Sequence, residues 1–546
     1  MFFGVSKLHN YFIKGLCVFA GLIAIFMQSI GIEIAFRGCY DKISQMVSYS
    51  FYDSTQKVKT TDPIAKNKNY TMYLAKNELE NCQIAVRFRS DRKAYIEMTE
   101  FRDENGNVLE SELFKELYVE TSTEVINTKY PDAIESVGHK DYDFYANRES
   151  NYVYLINVRS DKDTPSGKYT ATIKMGCTEK EGDEKWNIST EVSAYVWNFT
   201  LPDTPSCETA MGLGKGDIAK AHGVSSKSAE AQTLYEKYYE FLVDHKVSPY
   251  SIPVDILSDE ADKYMSDPRV TSFMIPYPSD DELLQKYYAK VTSNEEWAKK
   301  AYFYPIDEPS NDEAYKKYNE MTERLSRLCP GYNMVTPFYL DKVELENGTF
   351  SSVELQKTGS NIMCPVSNLF SEKGFVNEVN QRVADGDKLW WYVCCGPGPN
   401  TDYCNLFTQF DGIRHRILFW QQNDLDITGL LYWSTNYWSD VNDVWDSAWT
   451  TPWTGYNTFG DGSLLYNGNK VGIDGPVSSL RLEAVTNGIE DYEYLEMAEK
   501  LLGKEYKDKI ISKISRDLEH YTYDDERFAK VRIELGNAIE EAVKTK

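Results

Sequence analysis

Asp307 and Glu308 stand side by side in the run Tyr304-Pro305-Ile306-Asp307-Glu308-Pro309. Consecutive Cα atoms are only about 3.8 Å apart. Two carboxylates sent into one pocket therefore repel, one keeps its proton near neutral pH, and an acid is left beside an anion. Glycoside hydrolysis needs that division of labour. An inverting pair usually stands roughly 6.5–9.5 Å apart to admit water, and a retaining nucleophile normally faces the acid across the sugar. Neighbours in sequence fit neither arrangement comfortably, but they fit the substrate-assisted route, in which the sugar's own 2-acetamido oxygen is the nucleophile. The alternative is structural: Asp307 caps a helix and Glu308 complements its dipole.

The elements that must hold this pair follow from the patterning around it. Past Ser206, apolar strand patterns recur at Glu208–Gly214, Val247–Pro253, Thr271–Tyr277, Ala301–Asp307, Asn333–Tyr339, Asn361–Val366, Lys388–Cys394 and Thr428–Ser434. Helical patterns lie between or after them, most clearly Ala229–His245, Asp281–Lys300, Asn311–Leu328, Phe375–Ala384, Gly412–Asn423 and Leu480–Leu502. This alternation predicts a (β/α)8 TIM barrel. A doubly wound sheet is the competing topology, but Gly212-Leu213-Gly214-Lys215-Gly216 lacks the full dinucleotide fingerprint. In a barrel the working side chains gather at the C-terminal strand ends, and the acid pair ends the fourth strand. Pro309 keeps Glu308 out of the right-handed α region, and Ser310 with Glu313 predicts a capping box for the next helix.

Rings recur at other strand ends: Trp390-Trp391-Tyr392 ahead of Cys394-Cys395 on the seventh, and Tyr432-Trp433-Ser434-Thr435-Asn436 on the eighth. Aromatic faces stack on sugars while Asn and Tyr supply hydrogen bonds. Tyr304, Trp391, Tyr392, Trp433 and Asn436 are therefore the expected substrate-binding residues, although about half of the rings on such strands must fill the core.

Residues 45–201 read differently. Short period-2 segments such as Gln83–Phe88, Tyr152–Val158, Tyr169–Ile173 and Val192–Phe199 predict a β-sandwich. Leu201-Pro202-Asp203-Thr204-Pro205 is a stiff linker to a barrel over 206–505, and 506–546 reads as a charged helical pair on the surface. At the other end, Lys7 and Lys14 precede an uncharged run from Gly15 to Ile32. Residues 1–36 are thus expected to be a signal peptide or an N-terminal membrane anchor, either of which exports the rest, to be secreted or held at the outer face of the membrane.

Composition narrows the partners. The chain has 546 residues, with 59 Lys+Arg against 84 Asp+Glu and a formal charge of −25, which opposes binding to nucleic acid. Ten cysteines form no C-x-x-C pair and no H-E-x-x-H run occurs, so no zinc site is expected. For adjacent Cys394 and Cys395, packing at a strand end outweighs a redox role.

Taken in order, several motifs resemble glycoside hydrolase family 123. They are Tyr304–Pro309, Trp390–Tyr392, Gly429-Leu430-Leu431-Tyr432-Trp433, Gly460-Asp461-Gly462-Ser463-Leu464-Leu465-Tyr466, Gly475–Glu483 and Asn487–Leu495, with Ala75-Lys76-Asn77-Glu78 and Gln83 near the N-terminus. The resemblance implies a sandwich followed by a catalytic barrel, without metal or organic cofactor. It implies a retaining exo-β-N-acetylgalactosaminidase acting on glycans or glycolipids by substrate assistance. Asp307 would hold the acetamido N–H and stabilise the oxazolinium, and Glu308 would protonate the leaving oxygen and then activate water. Arg481, Glu483, Glu490 and Asp491 are expected to form buried ion pairs supporting the barrel. A glycosidase for another sugar, a surface protein that binds carbohydrate without cleaving it, and a structural envelope protein remain the alternatives.

Overall fold

The computed structural model describes residues 46–122, 127–138, 142–177, 186–438, 443–445 and 457–545. The expected leader or anchor, 1–36, lies outside them. Among the described residues no helix is long and apolar enough to cross a membrane.

The N-terminal part is all β. Eleven strands form one continuous sheet in which Leu79–Phe88 lies between Val47–Asp53 and Asn151–Arg159, and Gly167–Cys177 pairs antiparallel with Trp186–Thr200. The long strand Val108–Ser122 pairs with Phe101–Arg102 through Val108 and Leu109 and with Asn151–Arg159 through the adjoining Glu110–Lys115, so it joins the two halves. The alternate residues Cys82, Ile84, Val86 and Phe88 of one half and Tyr169, Ala171, Ile173 and Met175 of the other are buried in a single cluster. Period-2 patterning produces that result directly: each strand sends one face inward, so the two halves close on a shared core.

The second part alternates strands and helices. Five parallel strands run in the order Glu208–Met211, Gly429–Tyr432, Lys388–Val393, Ile362–Pro365 and Val335–Phe338. Main-chain bonds continue past both edges. Val335 N donates to Phe303 O at 3.0 Å, Ile275 N to Tyr302 O at 2.8 Å, Met274 N to Tyr250 O at 2.6 Å, and Tyr250 N to Met211 O at 2.8 Å. The expected strands are therefore shorter than their apolar patterns. Phe273–Met274 and Ala301–Tyr302 are two residues each, and the second segment contributes only a bridge between Pro249 and Met211. The patterns overran because apolar residues continue past each paired stretch, partly buried, while the chain leaves the ladder for the loops.

The helices fall close to expectation, at Ala229–Asp244, Asp312–Leu328, Phe375–Ala384, Gly412–Asp424 and Leu480–Leu502. One expected helix divides into Asp281–Thr292 and Glu295–Lys300, because Asn294 turns its side chain to the amides of Glu296 and Trp297 and begins a new helix. The predicted capping box is also displaced. Asn311 rather than Ser310 caps the helix after the acid pair, accepting from Ala314 N at 3.0 Å, and Glu313 pairs with Lys317 instead.

The C-terminal helix Asp525–Lys544 is not the surface element its charge suggested. Phe528, Val531, Leu535 and Ile539 join the core beneath the parallel strands together with Trp197 and Phe199 of the β part. A Cβ on Gly536 would lie 2.3 Å from the Trp197 ring, so glycine is what lets helix and ring touch. Arg532 on the same helix enters a buried charge network, donating to Glu78, to Glu80 at 3.0 Å and to Asp491 at 2.7 Å. Arg416 binds Asp491 at 2.7 Å and Glu80 at 3.1 Å from the opposite side. Arg481 pairs with Asp132 at 2.8 Å and Lys246 with Glu490 at 2.8 Å, while His245 meets Glu483 at 3.2 Å. The ion pairs expected of the helix Leu480–Leu502 are thus present; Asp132 is the partner from the β part, and His245, Lys246, Arg416 and Arg532 come from the rest of the chain.

Candidate active site

The acid pair leaves the short strand Ala301–Tyr302 through Pro305, and Pro309 follows it at once. Glu308 has φ +42°, in the left-handed region that a residue with a Cβ rarely enters and that costs on the order of 1–3 kcal/mol. Pro309 accounts for the absence of a right-handed turn here, but not for the positive φ. The surrounding contacts hold it. Tyr304 Oη donates to Asp307 Oδ1 at 2.7 Å, and Tyr392 Oη donates to Glu308 Oε1.

The two acids have different surroundings. Asp307 is exposed and Glu308 is half-buried. Burial pushes the Glu308 carboxyl above its ordinary range and the Asp307 charge pushes the same way, while the Tyr392 hydrogen bond opposes both. The Tyr392 hydroxyl is itself pushed far up, first by burial and then by the charge on Glu308, so it stays a donor. Glu308 can therefore hold a proton at a pH where an open carboxyl has lost it, with a second carboxylate next to it in sequence.

Strand alternation decides which rings reach this place. Tyr392 points to Glu308. Its neighbour Trp391 must point the other way, and it is fully buried, donating to Gln422 Oε1 at 3.0 Å and lying edge-on to Phe370. Trp391 is therefore a packing residue against the helix Gly412–Asp424 and not the sugar platform expected of it. Asn436 is corrected as well. Its amide is buried and spent on one residue's backbone, accepting from Gly214 N at 2.7 Å and donating to Gly214 O at 3.0 Å. Trp433 keeps a partly exposed ring, 4.9 Å from Tyr437, with its indole N–H on Asp461 Oδ1 at 3.0 Å.

Three residues join the site without having been singled out. Tyr250 lies edge-on to Tyr304 at 5.8 Å, in the middle of the expected second strand, where an aromatic residue was the available signal. Cys364 is the penultimate residue of the strand Ile362–Pro365, and its thiol is pushed up by burial and then by the charges of Asp307 and Glu308. Asp461 is buried beneath Trp433 in a turn where Gly462 has φ +71° and a Cβ would lie 2.1 Å from the indole. Arg481 fixes that turn by donating to Gly460 O at 2.7 Å. A Gly-Asp-Gly spelling alone does not disclose that its carboxylate supports a ring on another strand.

Among the described residues no three His, Cys, Asp or Glu side chains gather as metal ligands. A separate cavity of about 500 Å³ opens where the β part meets the helices, lined by Asn157, Phe241, His245 and Glu483, away from the acid pair.

Carboxylates and tyrosines at parallel strand ends, on an α/β unit joined to an all-β one, are an arrangement suited to the class of glycoside hydrolases. Residues 281–498 match the family described as glycoside hydrolase 123, catalytic domain. The chain is similar in fold to a family 123 glycoside hydrolase from Clostridium perfringens, whose structure addresses glycolipid glycan hydrolysis. The TM-score is 0.67 at 14% identity, covering 91% of this chain and 98% of that one. A β-glucuronidase from Parabacteroides merdae aligns over 77% of this chain and 50% of its own, at 10% identity and a TM-score of 0.26. The CooA pilin subunit of enterotoxigenic Escherichia coli covers 27% of this chain and 98% of its own, at 7% and 0.18. These two weak likenesses carry no weight. No curated protein matches the chain.

Proposed function

We propose that the protein is a retaining exo-glycoside hydrolase that removes terminal β-linked N-acetylgalactosamine, or a related 2-acetamido sugar, from glycans or glycolipids by substrate assistance. The observation that carries this reading is the unequal pair: a proton-retaining Glu308 held by Tyr392 directly after an exposed Asp307 held by Tyr304. The circuit of main-chain bonds through eight parallel segments supports a (β/α)8 barrel as its scaffold, with the β part as a sandwich. The glycolipid glycan hydrolysis described for the Clostridium perfringens relative supports the substrate class.

In this reaction Glu308 gives its proton to the glycosidic oxygen as the C1–O bond breaks. The 2-acetamido oxygen bonds to C1 from the opposite face, and Asp307 accepts the amide N–H and balances the positive oxazolinium. Glu308, now a carboxylate, takes a proton from the water that attacks C1 and reopens the ring, so two displacements retain the anomeric configuration. Tyr304 and Tyr392 orient the acids, and Trp433 offers a face to the sugar. The basic and apolar start of the chain supports export, as a secreted or surface-held enzyme.

The test is release of p-nitrophenol from β-N-acetylgalactosaminide, β-N-acetylglucosaminide and plain β-galactoside, with Glu308→Gln as the blank. Release from the acetamido substrates alone, lost in the blank, is expected. Release from the plain galactoside alone would keep a glycosidase and discard the substrate-assisted route.

A further inference from the structure

Cys394 and Cys395 follow the strand Lys388–Val393 that delivers Tyr392 to Glu308. Their sulfurs lie 3.8 Å apart, in contact but unbonded. The turn that carries them is fixed: Cys394 N donates to Gly396 O at 2.9 Å, and the Asn405 amide donates to Cys394 O at 2.9 Å and to Pro397 O at 2.8 Å. Both side chains are partly exposed, whereas the other described cysteines, 82, 177, 207, 329, 364 and 404, are all buried. Within the pair the thiols are unequal. The Cys394 S–H bond to Cys395 favours the thiolate on Cys395 and lowers it, while the same bond followed by burial raises Cys394. Cys395 stands three residues after Tyr392, whose hydroxyl donates to Glu308, just past the end of the same strand.

A partly exposed thiolate with a donor at its side is the form that attacks disulfides. We propose that Cys395 is a thiol-modification site at the strand end that carries Tyr392 to the acid pair, one that accepts a low-molecular-weight disulfide such as glutathione disulfide. The Cys395 thiolate attacks one sulfur of the reagent, the reagent's S–S bond breaks and a Cys395–glutathione bond forms. The second glutathione leaves as thiolate and takes a proton from solvent. Cys395 is oxidised to the disulfide level and the departing glutathione sulfur is reduced. Cys394 does not readily displace the adduct, because Cα atoms joined by a trans peptide are about 3.8 Å apart, whereas a disulfide usually spans about 4.4–6.8 Å. The bound peptide then stands over Glu308. That consequence rests on the glycosidase reading; the modification itself does not.

The experiment treats the folded, reduced protein with glutathione disulfide at pH 7.5 and follows intact mass and peptide mapping, with hydrolysis measured in parallel. One glutathionyl group on Cys395 is expected, removed by dithiothreitol and absent in Cys395→Ser. Cys394→Ala should react severalfold more slowly, because the thiolate loses its donor. Label spread over other cysteines, an inert Cys395, or an internal Cys394–Cys395 disulfide in place of the adduct would overturn the site. An adduct on Cys395 that leaves an active enzyme at full turnover would overturn the occlusion. Mass alone decides the modification, so a protein without glycosidase activity does not obscure it.

Discussion

The Tyr392 hydroxyl donates to the Glu308 carboxylate across 84 residues of sequence, joining the seventh strand segment to the loop after the fourth. This bond favours the charged acid while burial and Asp307 favour the neutral one. Removing it in Tyr392→Phe therefore raises the Glu308 pKa further. The protonated acid is lost as pH climbs through that pKa, so the alkaline limb of kcat/KM should move to higher pH in the variant. An unmoved limb would separate Tyr392 from the titration.

Glu308→Gln should lower turnover by roughly 10²–10⁴-fold, the range for loss of a general acid. Asp307→Asn should cost a comparable factor on acetamido sugars only if the sugar supplies the nucleophile. Full activity of Asp307→Asn on those sugars would remove substrate assistance, and steady-state kinetics on the p-nitrophenyl panel decide it.

Trp433 and Trp391 should part company under mutation. Trp433→Ala loses a ring face worth about 1 kcal/mol, or about fivefold in KM, with kcat little changed. Trp391→Phe orphans Gln422 Oε1 in the core at a cost of about 1–3 kcal/mol, read as a lower unfolding midpoint with KM unmoved.

That contrast shows what the sequence made legible. The acid pair, both tyrosines that hold it and the helix positions could be read from spelling and period. The division of Trp390-Trp391-Tyr392 between interior and helix layer needs the strand's phase, which a run of three rings does not reveal. Asn436 fails for another reason: an amide at a strand end suits a sugar and a peptide equally, and only the approach of Gly214 decides. Asp461 was quoted as part of a motif, yet its role depends on Arg481 drawing the Gly460 turn back towards Trp433.

Arg532→Met should destabilise the protein by roughly 3–5 kcal/mol, the usual cost of stripping a partner from buried charges. Glu78 and Asp491 would stay buried with fewer cations to meet them. Chemical denaturation measures the loss, and a change below about 1 kcal/mol would mean that Arg416 alone satisfies the network.

Glu116 gives a pH test remote from the site. It is buried, its carboxylate oxygens meet no hydrogen-bond partner among the described residues, and burial raises it to about 8 against the pull of Lys57. The folded state then holds a proton that the unfolded chain has released, so stability falls as pH rises from the ordinary carboxyl range towards 8, at most by about 1.4 kcal/mol per pH unit. Burial lowers Lys57 to about 8, which acts in the opposite sense only above that pH. Glu116→Gln should match the parent near pH 5 and exceed its melting temperature at pH 8; equal melting temperatures at pH 8 would contradict the assignment.

The placement of Arg532 also sets an order of events during synthesis. Glu78 and Glu80 emerge from the ribosome early and Asp491 much later, but the guanidinium that bridges them arrives only with the helix Asp525–Lys544. Until then the seam between the two parts carries excess negative charge and lacks the apolar face of that helix. The β part can assemble while the chain is still being translated, but the seam closes only after residue 540 has cleared the exit tunnel.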